Sequence, residues 1–160
     1  MLTAPQKTQL KAYIDASSDL TVYPNTIAGN TEIARLLNLD AAPPFIVWKS
    51  IVPIGDVGRA FDAAELAGLT AINHTRLQTL AIYLAGGVTP GLASVRAFFD
   101  DIFSGAGGTK TRAALLVLWK RAATRGETVF ATGTGTEATP GTLVVEGALS
   151  VTDVEEARNS

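Results

Sequence analysis

Apolar residues recur at helical spacing through most of the chain. Leu10, Tyr13 and Ile14 stand at positions i, i+3 and i+4, which predicts a first helix that ends near residue 16. Thr3 is a candidate N-cap for this helix, and Pro5 suits its first turn because a missing N–H costs nothing there. The same pattern predicts helices over 31–38, 65–69, 70–85 and 90–103, a helix from 109 or 111 to 124, and a closing helical turn over 154–158. A helix that opens at Pro53 and continues through Phe61 is an alternative.

Two segments have β character. Residues 45–48 are aromatic and β-branched, but the run is short and Pro53 follows closely, so strand and helix both remain open. Residues 142–146 and 148–151 predict strands that follow a loop of Thr and Gly. A strand on such a tether either folds back as a hairpin in its own chain or adds to a neighbour's sheet, and both alternatives stay open.

These patterns predict a mainly α fold, a helical bundle with a short C-terminal β-strand or hairpin arm. The expected organisation is a helical body over 1–131, a Thr/Gly-rich arm with a β element over 132–151, and a C-terminal helical turn or tail over 152–160. A chain of 160 residues is long enough to bury a substantial core without metal or disulfide support.

The composition is unusually apolar. Hydrophobic residues make up 47% of the chain and charged residues 18%, against about 25% charged in an average domain. One interpretation is a helix-rich chain with many alanines. The other is that part of the apolar surface is buried against further subunits, since obligate interfaces resemble a divided core.

Charge and cysteine content exclude several classes of protein. The net charge is −2 and no block of Lys and Arg occurs, so the chain lacks the basic footprint of a nucleic-acid-binding protein. The absence of cysteine excludes disulfides, thiolate zinc sites and thiol nucleophiles. No signal-peptide pattern and no unbroken apolar span of about 20 residues occur, which predicts a soluble protein made in the cytoplasm, without membrane association.

Three features suggest chemistry, and each has a plainer explanation. Residues 104–111 resemble a phosphate-binding loop, but Thr109 separates the last glycine from Lys110, and a helix rather than a strand precedes the loop. His74 is the only histidine and has no nucleophile pattern near it. Asp100 and Asp101 are adjacent on a helix, so their side chains diverge by about 100°. We therefore predict no catalytic residue, no cofactor and no metal, and expect that the chain is not an enzyme.

Aromatic residues and the predicted arm are candidates for an interface instead. Helical spacing favours core positions for Phe99 and Trp119, whereas Trp48 lies in the ambiguous segment beside Lys49 and suits an interface. The predicted interface residues are Trp48, Thr134, Thr136, Leu143, Val144 and Val145.

Three segments resemble parts of structural proteins of tailed bacteriophages. They are residues 65–70 (ELAGLT), 96–108 (RAFFDDIFSGAGG) and 111–116 (TRAALL). The layout is also similar to that of head-to-tail connector, or adaptor, proteins. This resemblance implies a virion protein, made in the host cytoplasm, that forms a cyclic homo-oligomeric ring in the neck, between portal and tail components, and acts by shape without turnover. Its partners would be itself and portal, tail or other neck proteins.

Two other functions remain as alternatives. The first is a cytoplasmic helical module that binds a protein or a small ligand without catalysis. The second is an enzyme that would have to use His74, Asp100 or Asp101 in a pocket that the sequence does not reveal.

Overall fold

The computed structural model describes residues 1–83 and 86–160, which are mainly helical as the sequence predicts. Strand β1 pairs with β2 and β3 pairs with β4, which gives two small antiparallel sheets. The elements in chain order are α1 (Ala4–Ala16), α2 (Ile27–Leu37), β1 (Ile46–Trp48), α3 (Ile54–Arg59), α4 (Ala63–Ala67), α5 (Ala71–Tyr83), α6 (Ala93–Ile102), α7 (Thr109–Trp119), β2 (Lys120–Ala122), α8 (Arg125–Val129), β3 (Ala131–Thr132), β4 (Thr142–Leu143) and α9 (Val151–Arg158).

The chain forms two compact units. Unit 1 consists of Met1–Val47 together with Ala122–Ser160, and unit 2 consists of Trp48–Arg121. Unit 1 is therefore assembled from the two ends of the chain, whereas unit 2 is one continuous stretch between them.

The core of unit 1 lies where α9 packs against α1 and α2. Helix α1 begins after Thr3, whose N–H donates to Oε1 of Gln6 at 2.8 Å, and its Leu10 and Ile14 are fully buried. Helix α9 supplies Val154 and Ala157, which are also fully buried. The other buried members of this core are Leu2, Leu20, Ile33, Ala34, Leu37, Val129, Phe130 and Leu149.

Polar side chains tie the C-terminal residues of unit 1 to its N-terminal helices. The amide of Asn38 bonds to Leu149 twice, because Nδ2 donates to the Leu149 carbonyl at 2.9 Å and Oδ1 accepts from its N–H at 2.8 Å. The guanidinium of Arg158 donates to Asn30 Oδ1 at 2.8 Å and to the carbonyl of Tyr23 at 3.0 Å. These bonds satisfy polar groups that burial would otherwise leave without partners.

The Thr/Gly segment folds back as a hairpin within unit 1. Ala131 pairs with Leu143 and Thr132 with Thr142, in antiparallel register. The loop between these strands lies on β1, since Ile46 donates its N–H to the Gly135 carbonyl at 2.7 Å. The strand over 142–146 is shorter than predicted because it ends at Leu143. The predicted strand over 148–151 is absent, since Ser150 instead caps α9 through a capping box.

An aromatic cluster forms the core of unit 2. The ring of Phe61 lies 5.1 Å from that of Phe103, and the ring of Phe99 lies 5.4 Å from Trp119 in an edge-on arrangement. Phe99 and Trp119 are almost completely buried, which confirms the core positions predicted for them. Val52, Val57, Val88, Ile102 and Leu115 complete the buried set.

The boundaries of several helices differ from the predicted ones. Helix α2 begins at Ile27 with Thr26 as its N-cap, four residues earlier than predicted. The predicted 90–103 helix begins only at Ala93. Helix α7 ends at Trp119 rather than at 124, because the next residues form β2. Residues 46–48 form a strand, which resolves the ambiguous segment, and the predicted helix end near residue 85 lies outside the described residues.

Candidate functional site

The glycine-rich turn that resembles a phosphate-binding loop is occupied by a carboxylate of the chain itself. Glu65 of α4 accepts hydrogen bonds from the backbone N–H groups of Lys110, at 2.9 Å, and Thr111, at 2.8 Å. These N–H groups open α7 and are the ones that an anion at this helix end would use. Burial raises the pKa of Glu65, but the N–H donors outweigh it and hold the pKa below its usual value.

The other residues of the turn also make contacts within the chain. Thr111 is fully buried, and its hydroxyl accepts the N–H of Asp62 at 3.0 Å. The Nζ atom of Lys110 lies 3.5 Å from the Asp62 carboxylate. Gly108 is required sterically, because a Cβ there would lie 1.9 Å from the carbonyl oxygen of Phe103. The turn therefore connects α6 to α7, and contacts from α4 and its N-cap hold it in place.

The other residues considered for chemistry do not converge. His74 is half-buried on α5. Asp100 and Asp101 are exposed on α6, and Asp101 pairs with Arg76 at 2.7 Å. Within residues 1–83 and 86–160, no group of three or more His, Asp or Glu side chains is arranged to hold a metal ion.

Two cations of unit 2 lie near the ring of Trp48. Its half-buried ring lies 4.3 Å from the guanidinium carbon of Arg96 and 6.0 Å from Nζ of Lys120. Arg96 also donates to the carbonyl of Pro90, which fixes the guanidinium over the ring. A partly exposed tryptophan with a fixed orientation has the character of an anchor residue in a protein interface.

The five predicted interface residues of the hairpin all lie in unit 1. Thr134 and Thr136 are exposed in the loop, and both hydroxyls bond to the hydroxyl of Thr139. After the second strand, Val144 is 69% exposed, whereas Leu143 and Val145 are half-buried. Val145 packs against the core of unit 1. The loop threonines and Val144 are thus open to solvent, and the other two residues support the hairpin.

Helix α7 has an exposed apolar face that the sequence analysis did not identify. Its buried face consists of Thr111, Leu115 and Trp119. On the other side Leu116 is 41% exposed and Val117 is 79% exposed, with Ala113 exposed one turn earlier. The sequence did contain a signal of this face, because residues 113–119 are apolar without interruption. A helix that is apolar all round is normally buried on every side. We call Ala113, Leu116 and Val117 the α7 face.

Unit 1 contains a cleft of about 620 Å³, within the size range of ligand-binding clefts. It lies between α1, α2, α8 and the extended chain at 39–45, and we call it the unit 1 cleft. Leu39 projects into it and is 50% exposed. The remaining wall residues include Tyr13, Leu36, Pro43, Phe45 and Thr128. Sequence periodicity could not reveal this cleft because distant segments of the chain form it.

A charged network lies at one end of the unit 1 cleft. Arg125 donates hydrogen bonds to both carboxylate oxygens of Asp19, and its Nη2 atom lies 2.8 Å from Oδ1. Its Nε hydrogen is donated to the Tyr13 hydroxyl at 2.9 Å. The hydrogen bond from Arg125 holds the pKa of Asp19 below its usual value, and Asp19 raises that of Arg125. Tyr13 accepts this bond, so its own O–H remains able to donate. Asp40 adds an exposed carboxylate.

Within the described parts of the chain, every helix is too short or too polar to span a bilayer.

Comparisons with protein-family models, with curated proteins and with solved structures gave no match.

Proposed function

We propose that this chain is a structural protein of a tailed-phage virion, a head-to-tail connector or adaptor that forms a ring between portal and tail components. In this proposal the chain acts by binding and shape, and it is not an enzyme. Its partners are further copies of itself and the portal, tail or other neck proteins. The resemblance of residues 65–70, 96–108 and 111–116 to phage structural proteins supports this proposal.

The observation that carries the proposal is the α7 face. Leu116 and Val117 lie exposed on a helix whose opposite side is already packed in the core of unit 2. Burial of apolar surface contributes about 25 cal/mol per Å², so a subunit that covers Leu116 and Val117 would gain free energy from doing so. An assembly protein buries such a face against another subunit, whereas a monomeric protein leaves it in water.

Other exposed residues fit the same role. The chain is mainly helical, and the hairpin of unit 1 presents Thr134, Thr136 and Val144 to solvent. Trp48, oriented by Arg96, is an aromatic anchor of the type that dominates binding energy in protein interfaces. These residues are proposed contacts with neck components or neighbouring subunits, and Leu143 and Val145 position them.

The test is the mass of the chain in solution, measured by light scattering over a wide concentration range, with electron microscopy of negatively stained samples. The expected result is a defined oligomer with ring-shaped particles. Val117→Glu places a charge on the α7 face and should reduce the mass to that of one chain. Ile72→Glu, at a position that is 73% exposed on α5, is the matched control and should leave the oligomer intact.

The unit 1 cleft favours a second candidate, a module that binds a protein or small ligand without catalysis. Its volume of about 620 Å³ and its mixture of apolar walls with Arg125, Asp19 and Tyr13 suit such a ligand. A mass of one chain at every concentration would reject self-assembly and favour this second candidate.

A further inference from the structure

We propose that the unit 1 cleft binds a small organic cation, a molecule with a protonated amine at one end of an apolar body. The cleft combines an apolar wall with a carboxylate that no cation of its own wall neutralises, and this combination defines the class of ligand. The inference rests on the second candidate function, for which it names the ligand, and it is independent of the connector proposal.

The cleft is a feature of unit 1 alone. Its described wall residues all come from Met1–Val47 or from Ala122–Ser160, the two stretches that make up this unit. Clefts of about 300–1,000 Å³ hold small ligands, and the volume of about 620 Å³ lies within that range. The unit therefore offers a complete concave site to a small molecule.

The charges of the cleft wall leave one carboxylate unbalanced. All three guanidinium nitrogens of Arg125 donate within the chain, two to the Asp19 carboxylate and one to the Tyr13 hydroxyl, so Arg125 and Asp19 neutralise each other. Asp40 is exposed, and within residues 1–83 and 86–160 no cation pairs with its carboxylate. Two carboxylates and one guanidinium give the wall a net charge of −1, which favours a cation.

The hydrogen-bonding groups of the wall also favour a donor ligand. The Thr128 hydroxyl donates its hydrogen to the carbonyl of Arg125 at 2.7 Å, so its oxygen is left as an acceptor. The Asp40 carboxylate accepts only, and the Tyr13 oxygen has a second lone pair. A ligand ammonium brings three N–H donors to such groups, and its bond to a carboxylate is charge-assisted.

The apolar part of the wall is rigid on one side and open on the other. A Cβ at Gly135 would lie 2.3 Å from the Phe45 ring, and one at Gly141 would lie 2.7 Å from it, so the ring rests directly on the backbone of both glycines. A wall that is already fixed loses little freedom when a ligand binds. Leu39 is 50% exposed, and an apolar ligand body that covers it gains free energy from its burial.

The first experiment compares three probes that share one apolar body and differ in charge. Phenylbutylamine is a cation at pH 7, phenylbutanol is neutral and phenylbutyrate is an anion. Isothermal titration calorimetry of the full chain measures the affinity of each. We expect the amine to bind most tightly, roughly three- to tenfold more tightly than the alcohol, and the anion to bind most weakly. An amine that binds no more tightly than the alcohol would overturn the inference.

The second experiment locates the two ends of the ligand. Asp40→Asn removes the unbalanced charge, so it should abolish the preference for the amine and leave the affinity for the alcohol unchanged. Leu39→Ala shortens the shared apolar wall and should weaken the amine and the alcohol by a similar factor. Asp100→Asn, at an exposed position of α6, is the matched control and should leave every affinity unchanged.

Two results of these variants would contradict the inference. One is a preference for the amine that survives Asp40→Asn, and the other is an unchanged affinity for both probes in Leu39→Ala, because the probes would then bind elsewhere. Circular dichroism and the thermal midpoint should match those of the parent chain, since residues 39 and 40 are both exposed.

Light scattering of the same samples separates this inference from the connector proposal. A chain that forms rings but shows no preference for the amine would overturn this inference and leave the connector proposal standing. A chain that prefers the amine and keeps the mass of one chain at every concentration would support this inference and reject self-assembly.

Discussion

The carboxylate of Glu65 lies on the first N–H groups of α7, with Oε2 accepting the N–H of Thr111 at 2.8 Å. A helix of this length leaves its first N–H groups without intrahelical partners, and a negative charge there also suits the helix dipole. Here the side chain of Glu65, from a different helix, provides both the hydrogen-bond acceptors and the negative charge. The contact joins α4 to α7 and anchors the glycine-rich turn between α6 and α7.

The Glu65 contact predicts a dependence of stability on pH. Because the folded state lowers the pKa of Glu65 below its usual value of 4.5, its stabilising contribution is fully present above that value. It is lost as the pH falls through the lowered, folded-state pKa. Glu65→Gln should therefore be less stable than the parent chain at pH 7, and the difference should shrink in acid. Thermal unfolding between pH 7 and 3 measures this, with Glu155→Gln, an exposed position on α9, as the control.

Asn38 should be a major polar contributor to unit 1. Asn38→Ala removes both hydrogen bonds to Leu149 and leaves the backbone N–H and carbonyl of Leu149 without these partners. The loss should cost roughly 1–3 kcal/mol of unfolding free energy. Asn38→Asp keeps an acceptor but loses the donor, so it should fall between the two. Urea denaturation followed by circular dichroism measures the difference. A change below about 0.5 kcal/mol for Asn38→Ala would mean that water replaces these bonds.

Two glycines of the hairpin loop form a matched pair. Both have positive φ, +65° for Gly135 and +95° for Gly133. A Cβ at Gly135 would lie 2.3 Å from the Phe45 ring, whereas a Cβ at Gly133 would lie 3.4 Å from Cα of Gly141. Gly133→Ala should cost about 1–2 kcal/mol through the backbone alone. Gly135→Ala should cost more, since the Phe45 ring must also move. Equal losses in thermal denaturation would show that the ring moves freely.

Arg96 should stabilise unit 2 through Trp48. Arg96→Ala removes the cation over the ring and should lower the free energy of unfolding by about 0.5–2 kcal/mol. Trp48 and Trp119 both belong to unit 2, so tryptophan fluorescence during urea denaturation reports on that unit. Arg59→Ala, at an 80% exposed side chain, is the control and should change stability by less than 0.5 kcal/mol. A loss no larger than that of Arg59→Ala would contradict the proposed stacking.

Local chemistry made some elements predictable and tertiary contacts overrode it in others. Helix α1 was predicted with its observed end because the signals at Thr3 and Pro5, and the apolar spacing after them, all lie within the helix. Helix α7 was predicted five residues too long. The residues predicted beyond its observed end are mostly good helix formers. However, the Trp119 carbonyl accepts the N–H of Lys49 at 2.8 Å, and the chain continues as a strand. Propensity alone cannot anticipate a partner 70 residues away.

The candidate surfaces show the same division. The apolar run at residues 113–119 is visible in the sequence, but which of its residues are exposed depends on the aromatic cluster that covers the other side. Trp48 was predicted as an interface residue from its place beside Lys49; its ring is half-buried, and its contact with Arg96 depends on the fold. The cleft is lined by residues that are distant in the chain, such as Arg125 and Asp19, which are 106 positions apart and whose pairing no local pattern encodes.

The split construction of unit 1 has a consequence for synthesis on the ribosome. Leu10 and Ile14 share their core with Val154 and Ala157, which are translated about 140 residues later. Residues 48–121 are complete well before then, so unit 2 can fold while the N-terminal helices still wait for their partners. A nascent chain interrupted before α9 would keep those apolar residues uncovered, and would be a target for chaperones and proteases rather than for assembly.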